Sequence, residues 1–153
     1  MAQEPQEAVA APRRALVLDA NILLRAVLGP RVRALILQYA DRVALLTPSV
    51  ALADAREYLP LLCNRRRWPL APAIAVLEQL SALVQVVETE FLGHLEAEAR
   101  ARIARRDPDD WPVLALALAV DAPIWTEDQD FFGSGVAIWT TATVELYLAR
   151  RDS

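Results

Sequence analysis

Four short stretches carry carboxylates of a kind that could work together. VLDAN, residues 17–21, is an apolar run that ends in Asp19 and passes through Asn21 into the next segment. ALADAREYLPLL, residues 51–62, carries Glu57 and, one helical turn earlier, Asp54. RDPDDWPVLALALA, residues 106–119, gathers Asp107, Asp109 and Asp110 around Pro108. IWTEDQDFF, residues 124–132, adds Thr126, Glu127, Asp128 and Asp130. Each has an ordinary explanation. Asp19 suits a helix N-cap, Asp109 and Asp110 suit a helix dipole, and an aspartate-rich stretch suits a turn. Brought together, such acids would repel one another strongly at low dielectric. A hard divalent cation relieves that repulsion, and all-oxygen donors suit magnesium or manganese. Cys63 and His94 are the only side chains of their types, so the donor set does not suit zinc.

The elements that must position these acids follow from apolar runs and breakers. Ala15–Leu18 reads as a buried strand delivering Asp19 at its carboxyl end. Val43–Leu46, Val84–Val87, Ile124–Thr126 and Val136–Trp139 read as further strands. Helices are expected over Asn21–Leu28, Val32–Tyr39, Ser49 to about Cys63, Pro72–Leu83, Phe91–Arg105, Asp109–Val120 and Thr143–Arg150. Pro60 should bend or end the third of these. Glu57 lies four residues from Ala53 and Leu61 and is expected to share a buried face with them. Strands alternating with helices imply an α/β three-layer sandwich with a mainly parallel sheet of four or five short strands. Sites in such sheets form at the carboxyl ends of strands, where the strand order reverses. The expected organisation is a loose tail over residues 1–14 and one folded domain over 15–150.

Composition narrows the chemistry. The chain has 153 residues, is 55% hydrophobic and carries a net charge of −4. That supports a single core and argues against a strongly basic nucleic-acid binder. No apolar run is long enough to span a bilayer. The beginning lacks the apolar core of a secretory signal. One cysteine, Cys63, allows no internal disulfide and is expected to be a buried small hydrophobe. These features lead us to expect a cytoplasmic protein without a membrane segment. All 16 basic residues are arginine. None lies between Asp107 and Asp130, whereas Arg65–Arg67 and Arg100–Arg106 cluster outside that acidic stretch. Acids beside arginines are what a metal-dependent phosphodiesterase needs. Lacking lysine, the chain does not fit receiver domains, haloacid-dehalogenase-like phosphatases or P-loop enzymes. His94, expected at the surface, has no pattern supporting a serine triad. Trp68 and Trp111 are expected in core or dimer packing rather than stacked on bases. Ile74, Leu77, Leu80 and Leu83 form an apolar helical stripe for the core or a homodimer.

In this order VLDANILL, the helix bearing Glu57, DPDDWPVLALAL and IWTEDQDFF resemble the PIN-domain family, over about residues 15–149. The resemblance implies a parallel α/β nuclease that cuts RNA with magnesium or manganese. Carried over by position, Asp19, Glu57, Asp110 and Asp128 match the family's metal-binding acids, and Asp130 a further ligand. Asp54 is the alternative to Glu57. Asn21 and Thr126 match pocket-lining polar residues, and Asp107 and Asp109 match capping or outer groups. Arg65, Arg66, Arg67, Arg105 and Arg106 are candidate RNA contacts. The length is similar to that of VapBC-type toxins, which would imply a cognate antitoxin, and the chain also resembles stand-alone prokaryotic PIN proteins with no known antitoxin. Resembling proteins are usually homodimers. The competing reading is a PIN-like module that binds RNA or protein without cutting.

Overall fold

The computed structural model describes residues 14–103 and 108–151. The expected tail therefore lies almost wholly outside the described residues, as do Arg105, Arg106 and Asp107. Among the described residues the chain forms strands β1 (Arg14–Leu18), β2 (Val43–Pro48), β3 (Gln85–Val87), β4 (Ile124–Trp125) and β5 (Ile138–Trp139). All pair in parallel, in the order β3-β2-β1-β4-β5. Helices α1 (Ala20–Leu28), α2 (Pro30–Tyr39), α3 (Ser49–Arg66) and α4 (Leu70–Ser81) precede β3 or its approach. Helices α5 (Glu96–Arg102), α6 (Trp111–Val120) and α7 (Val144–Leu148) follow it. No helix among the described residues is long and apolar enough to cross a membrane.

Residues of β1 show why the sheet is covered on both faces. Leu16 and Leu18 join a core with α1–α4 and α7. Val17, pointing the other way, joins a second core with α6, Ala99 of α5 and Phe131. The result is the three-layer sandwich that the apolar runs predict, with a fully parallel sheet. Cys63 is buried, as expected.

Two expected helices take a different form. Helix α3 runs through Pro60 to Arg66. Pro60 is exposed, so its missing N–H leaves a carbonyl on the solvent side while Ala55, Leu59 and Cys63 keep the buried face continuous. Ala53 and Leu61 are exposed too, and Glu57 with them, so the shared buried face expected for these residues does not form. The helix expected over Phe91–Arg105 is a 3-10 segment, Thr89–Leu95, followed by α5. Gly93 weakens the α form there, and Ser49 Oγ fixes the start by accepting the Thr89 N–H at 3.2 Å. Trp111 is buried as expected, but Trp68 stays 43% exposed beneath the Arg66 guanidinium and takes no part in the core. Of the expected apolar stripe, Leu77 and Leu80 enter the core while Ile74 and Leu83, the latter beyond the end of α4, remain exposed.

Candidate metal centre

The chain order β1, β2, β3 moves outward on one side of β1, and β4 then returns to its other side. The strand order therefore reverses between β1 and β4, where a crevice is expected at the carboxyl ends. Leu18 pairs with Trp125 in register, which places Asp19 beside Thr126. Both are buried, Asp19 at 6% exposure and Thr126 at 0%. Thr47 Oγ1 latches the neighbouring strand end by donating to the Leu18 carbonyl at 2.8 Å.

Hydrogen bonds hold this corner rigid. Asp19 caps α1, its Oδ1 accepting the Ile22 N–H at 3.0 Å. Its Oδ2 accepts from the Thr126 hydroxyl. Thr126 Oγ1 in turn accepts the Asp128 N–H at 2.9 Å, and Asp128 Oδ1 accepts the Asp130 N–H at 2.9 Å. Thr126 thus links the first acid to the last pair. Burial pushes the Asp19 carboxyl up to about 6, against the two hydrogen bonds it accepts, and the Asp128 and Glu127 charges push the same way.

From the other side comes the 3-10 turn Pro108–Asp110, with Asp110 at the position preceding α6. Pro112 sits in the first turn of α6, where its lack of an N–H costs nothing. Asp110, Asp128 and Asp130 each offer a carboxylate oxygen, and these oxygens lie within 4.8 Å of one another. Three hard, anionic donors at that spacing, beside a buried acid, fit a divalent cation of the magnesium or manganese kind. Along α3, Asp54 is raised above the usual carboxylate range, first by partial burial and then by the Glu57 and Asp109 charges. Those three acids therefore form an exposed flank next to Asp110.

Of the residues singled out from the sequence, Asp110, Asp128 and Asp130 converge, and Asp19 and Thr126 join them through hydrogen bonds. Glu57 and Asn21 are exposed. Sequence reasoning gave no role to Glu127 and missed Thr141. Glu127 Oε2 accepts the Thr141 N–H at 2.6 Å, tying the acidic turn to the segment after β5. Thr141 Oγ1 also accepts the Trp125 indole N–H at 3.1 Å. The density of acids in TEDQD was a signal for Glu127, but nothing local marked Thr141.

Comparisons with known proteins agree with this fold. The chain resembles PAE2754 from Pyrobaculum aerophilum, with 19% identity, a TM-score of 0.68, and coverage of 90% of this chain and 91% of that one. It also resembles VapBC2 from Rickettsia felis, solved bound to a DNA fragment from their promoter, with 12% identity, a TM-score of 0.62, and coverage of 82% and 98%. FitAcB from Neisseria gonorrhoeae matches with 21% identity, a TM-score of 0.59, and coverage of 83% and 98%. At these identities the likeness is one of fold. A search of curated proteins finds no match. The family model described as PIN domain matches residues 17–149, so the chain belongs to the PIN-domain family.

Proposed function

We propose that this chain is a magnesium- or manganese-dependent endoribonuclease, acting in the cytoplasm as the toxin of a type II toxin–antitoxin pair. The observation that carries the reading is the convergence of the Asp110, Asp128 and Asp130 oxygens within 4.8 Å, next to buried Asp19. These four acids would hold the cation. On α3, Asp54 is better placed than Glu57 to join them. It lies one turn nearer the carboxyl end of β2, about 4.5 Å along the axis, and it feels the Asp109 charge.

A bound divalent cation would lower the pKa of water and stabilise negative charge on the phosphoryl oxygens. The protein's part is to position. Thr126 fixes Asp19 and Asp128 relative to each other, and the Asp130 amide fixes the Asp128 carboxylate. Water would attack phosphorus in line, leaving a 5′-phosphate and a 3′-hydroxyl. That chemistry does not use the ribose 2′-hydroxyl, so a preference for RNA must come from binding. Arg65, Arg66 and Arg67 at the end of α3, with Arg105 and Arg106, are the basic side chains for this role.

The test is cleavage of single-stranded RNA by the purified chain with Mg²⁺, Mn²⁺ or EDTA, alongside Asp110→Asn. Cleavage should need metal and vanish in the variant. Persistence in EDTA would remove the mechanism, and RNA binding without cleavage would leave a binding module. Asp54→Asn should lower the rate more than Glu57→Gln. The fold's likeness to complexes such as VapBC2 and FitAcB supports an antitoxin partner. A small DNA-binding protein encoded next to this chain should copurify with it and suppress cleavage. Sedimentation should give a homodimer.

A further inference from the structure

The acidic centre adjoins a second feature of opposite charge. A cleft of about 420 Å³ lies between α1, the α1–α2 turn and the end of α3. Its lining includes Arg25, Arg31 and Arg66 and no acid. In a chain of net charge −4, three guanidinium groups around one cleft run against the general trend. The polar end of the cleft is Asn21 and Thr141. Asn21 follows Asp19 by two residues, and the Thr141 amide donates to Glu127, whose charge acts on Asp19. One end of the cleft therefore abuts the metal centre. Its lining also includes the apolar side chains of Leu24, Leu28 and Leu62.

We infer that this cleft is a nucleotide subsite, holding the residue of a single-stranded substrate next to the scissile phosphate. The inference rests on the nuclease reading above and adds the path the strand takes. The volume suits one nucleotide, the leucines of the lining suit a base, and the arginines suit backbone phosphates. Arg31 is oriented by its ion pair with Glu145 at 3.2 Å, and Arg66 lies over the Trp68 ring at 5.6 Å. Arg25 has no ion-pair partner among the described residues. It sits four residues after Asn21, on the same exposed face of α1.

Fluorescence anisotropy with a labelled single-stranded 12-nucleotide RNA in EDTA tests this apart from cleavage. The wild-type chain is compared with Arg25→Ala/Arg66→Ala and with Arg42→Ala, which lies just before β2 at the amino ends of the strands. The double variant should bind at least about tenfold more weakly. Its slope of log affinity against log salt should be shallower by about 1.4, two phosphate contacts at roughly 0.7 each. Arg42→Ala should match wild type. Equal binding and equal salt slopes for the double variant and wild type would overturn the subsite, as would wild type showing no RNA binding. If the slope falls in the double variant while wild type cuts nothing with Mg²⁺ or Mn²⁺, the subsite stands and the nuclease reading fails.

Discussion

The two sides of the acidic crevice are built differently. On one side Asp19 and Thr126 are buried and joined by hydrogen bonds to each other, to the Ile22 N–H and to the Asp128 N–H. On the other, Asp110 stands on a 3-10 turn, and Asp54, Glu57 and Asp109 are exposed. The first side is fixed by strand register and takes its shape without a ligand. The second brings together charges that repel, on residues that are exposed or only partly buried. A cation would change the second side far more than the first. Metal affinity and fold stability should therefore respond in opposite directions to the same substitutions.

The largest effect expected is on rate. Asp110→Asn or Asp128→Asn should lower metal-dependent RNA cleavage on the order of 10³-fold, the equivalent of several kcal/mol of transition-state stabilisation. Calorimetry should show weaker Mn²⁺ binding, and urea melts of the metal-free protein should show no loss of stability. A stability loss with intact metal binding would reverse the comparison.

Next comes Asp19. Its carboxyl titrates at about 6 in the fold against an ordinary value of 3.8. The folded state therefore holds the proton more tightly than the unfolded chain does. Metal-free stability should fall as pH rises from about 4 to about 6, and stay low above that. Asp19→Asn should abolish most cleavage yet stabilise the metal-free protein at pH 7.5 by up to about 3 kcal/mol, with no gain near pH 3.5. Urea midpoints at the two pH values check this. A pH-independent difference would show that Asp19 is not strained by burial.

Thr126→Val keeps the shape and removes the link between Asp19 and Asp128. We expect a loss of about 10- to 100-fold in Mn²⁺ affinity, the usual effect of removing an orienting partner. The hydrogen bond from Thr126 lowers the Asp19 pKa, so the low-pH limb of the activity profile should move upward. An unmoved limb would assign that titration elsewhere.

The smallest effect concerns the loop after the acidic turn. Gly135 has φ of 89°, and an added Cβ would lie 2.5 Å from Arg102 Nη1. That guanidinium donates to the Ser134 carbonyl at 2.8 Å. Gly135→Ala should cost about 1–2 kcal/mol, mainly from backbone strain, since the arginine can swing away. Urea denaturation reads that cost, and the cleavage rate should change less than tenfold.

Much of this design is visible in the sequence, because burial and chain breaks leave local marks. The apolar run before Asp19 and the short one before Thr126 identify strands that must end where the acids begin. The aspartates around Pro108 stand out against an all-apolar helix. What escaped the sequence depends on which way a helix faces. Proline at position 60 removes an N–H and crowds the Arg56 carbonyl, and the helix tolerates it where both residues lie on the exposed face. Asp54 and Glu57 sit three residues apart on a helix with no strong apolar stripe, so periodicity alone cannot say which faces the crevice. Thr141 acts through a backbone amide, which no side-chain pattern reveals.

Strand order also sets the moment at which the centre comes into being. β1 is made first, yet its neighbour β4 begins only at Ile124. A chain still being synthesised up to that point carries Asp19 and Asp110 but lacks Thr126, Asp128 and Asp130. On the nuclease reading proposed above, any capacity to cut would arise only once the stretch through Asp130 had been made.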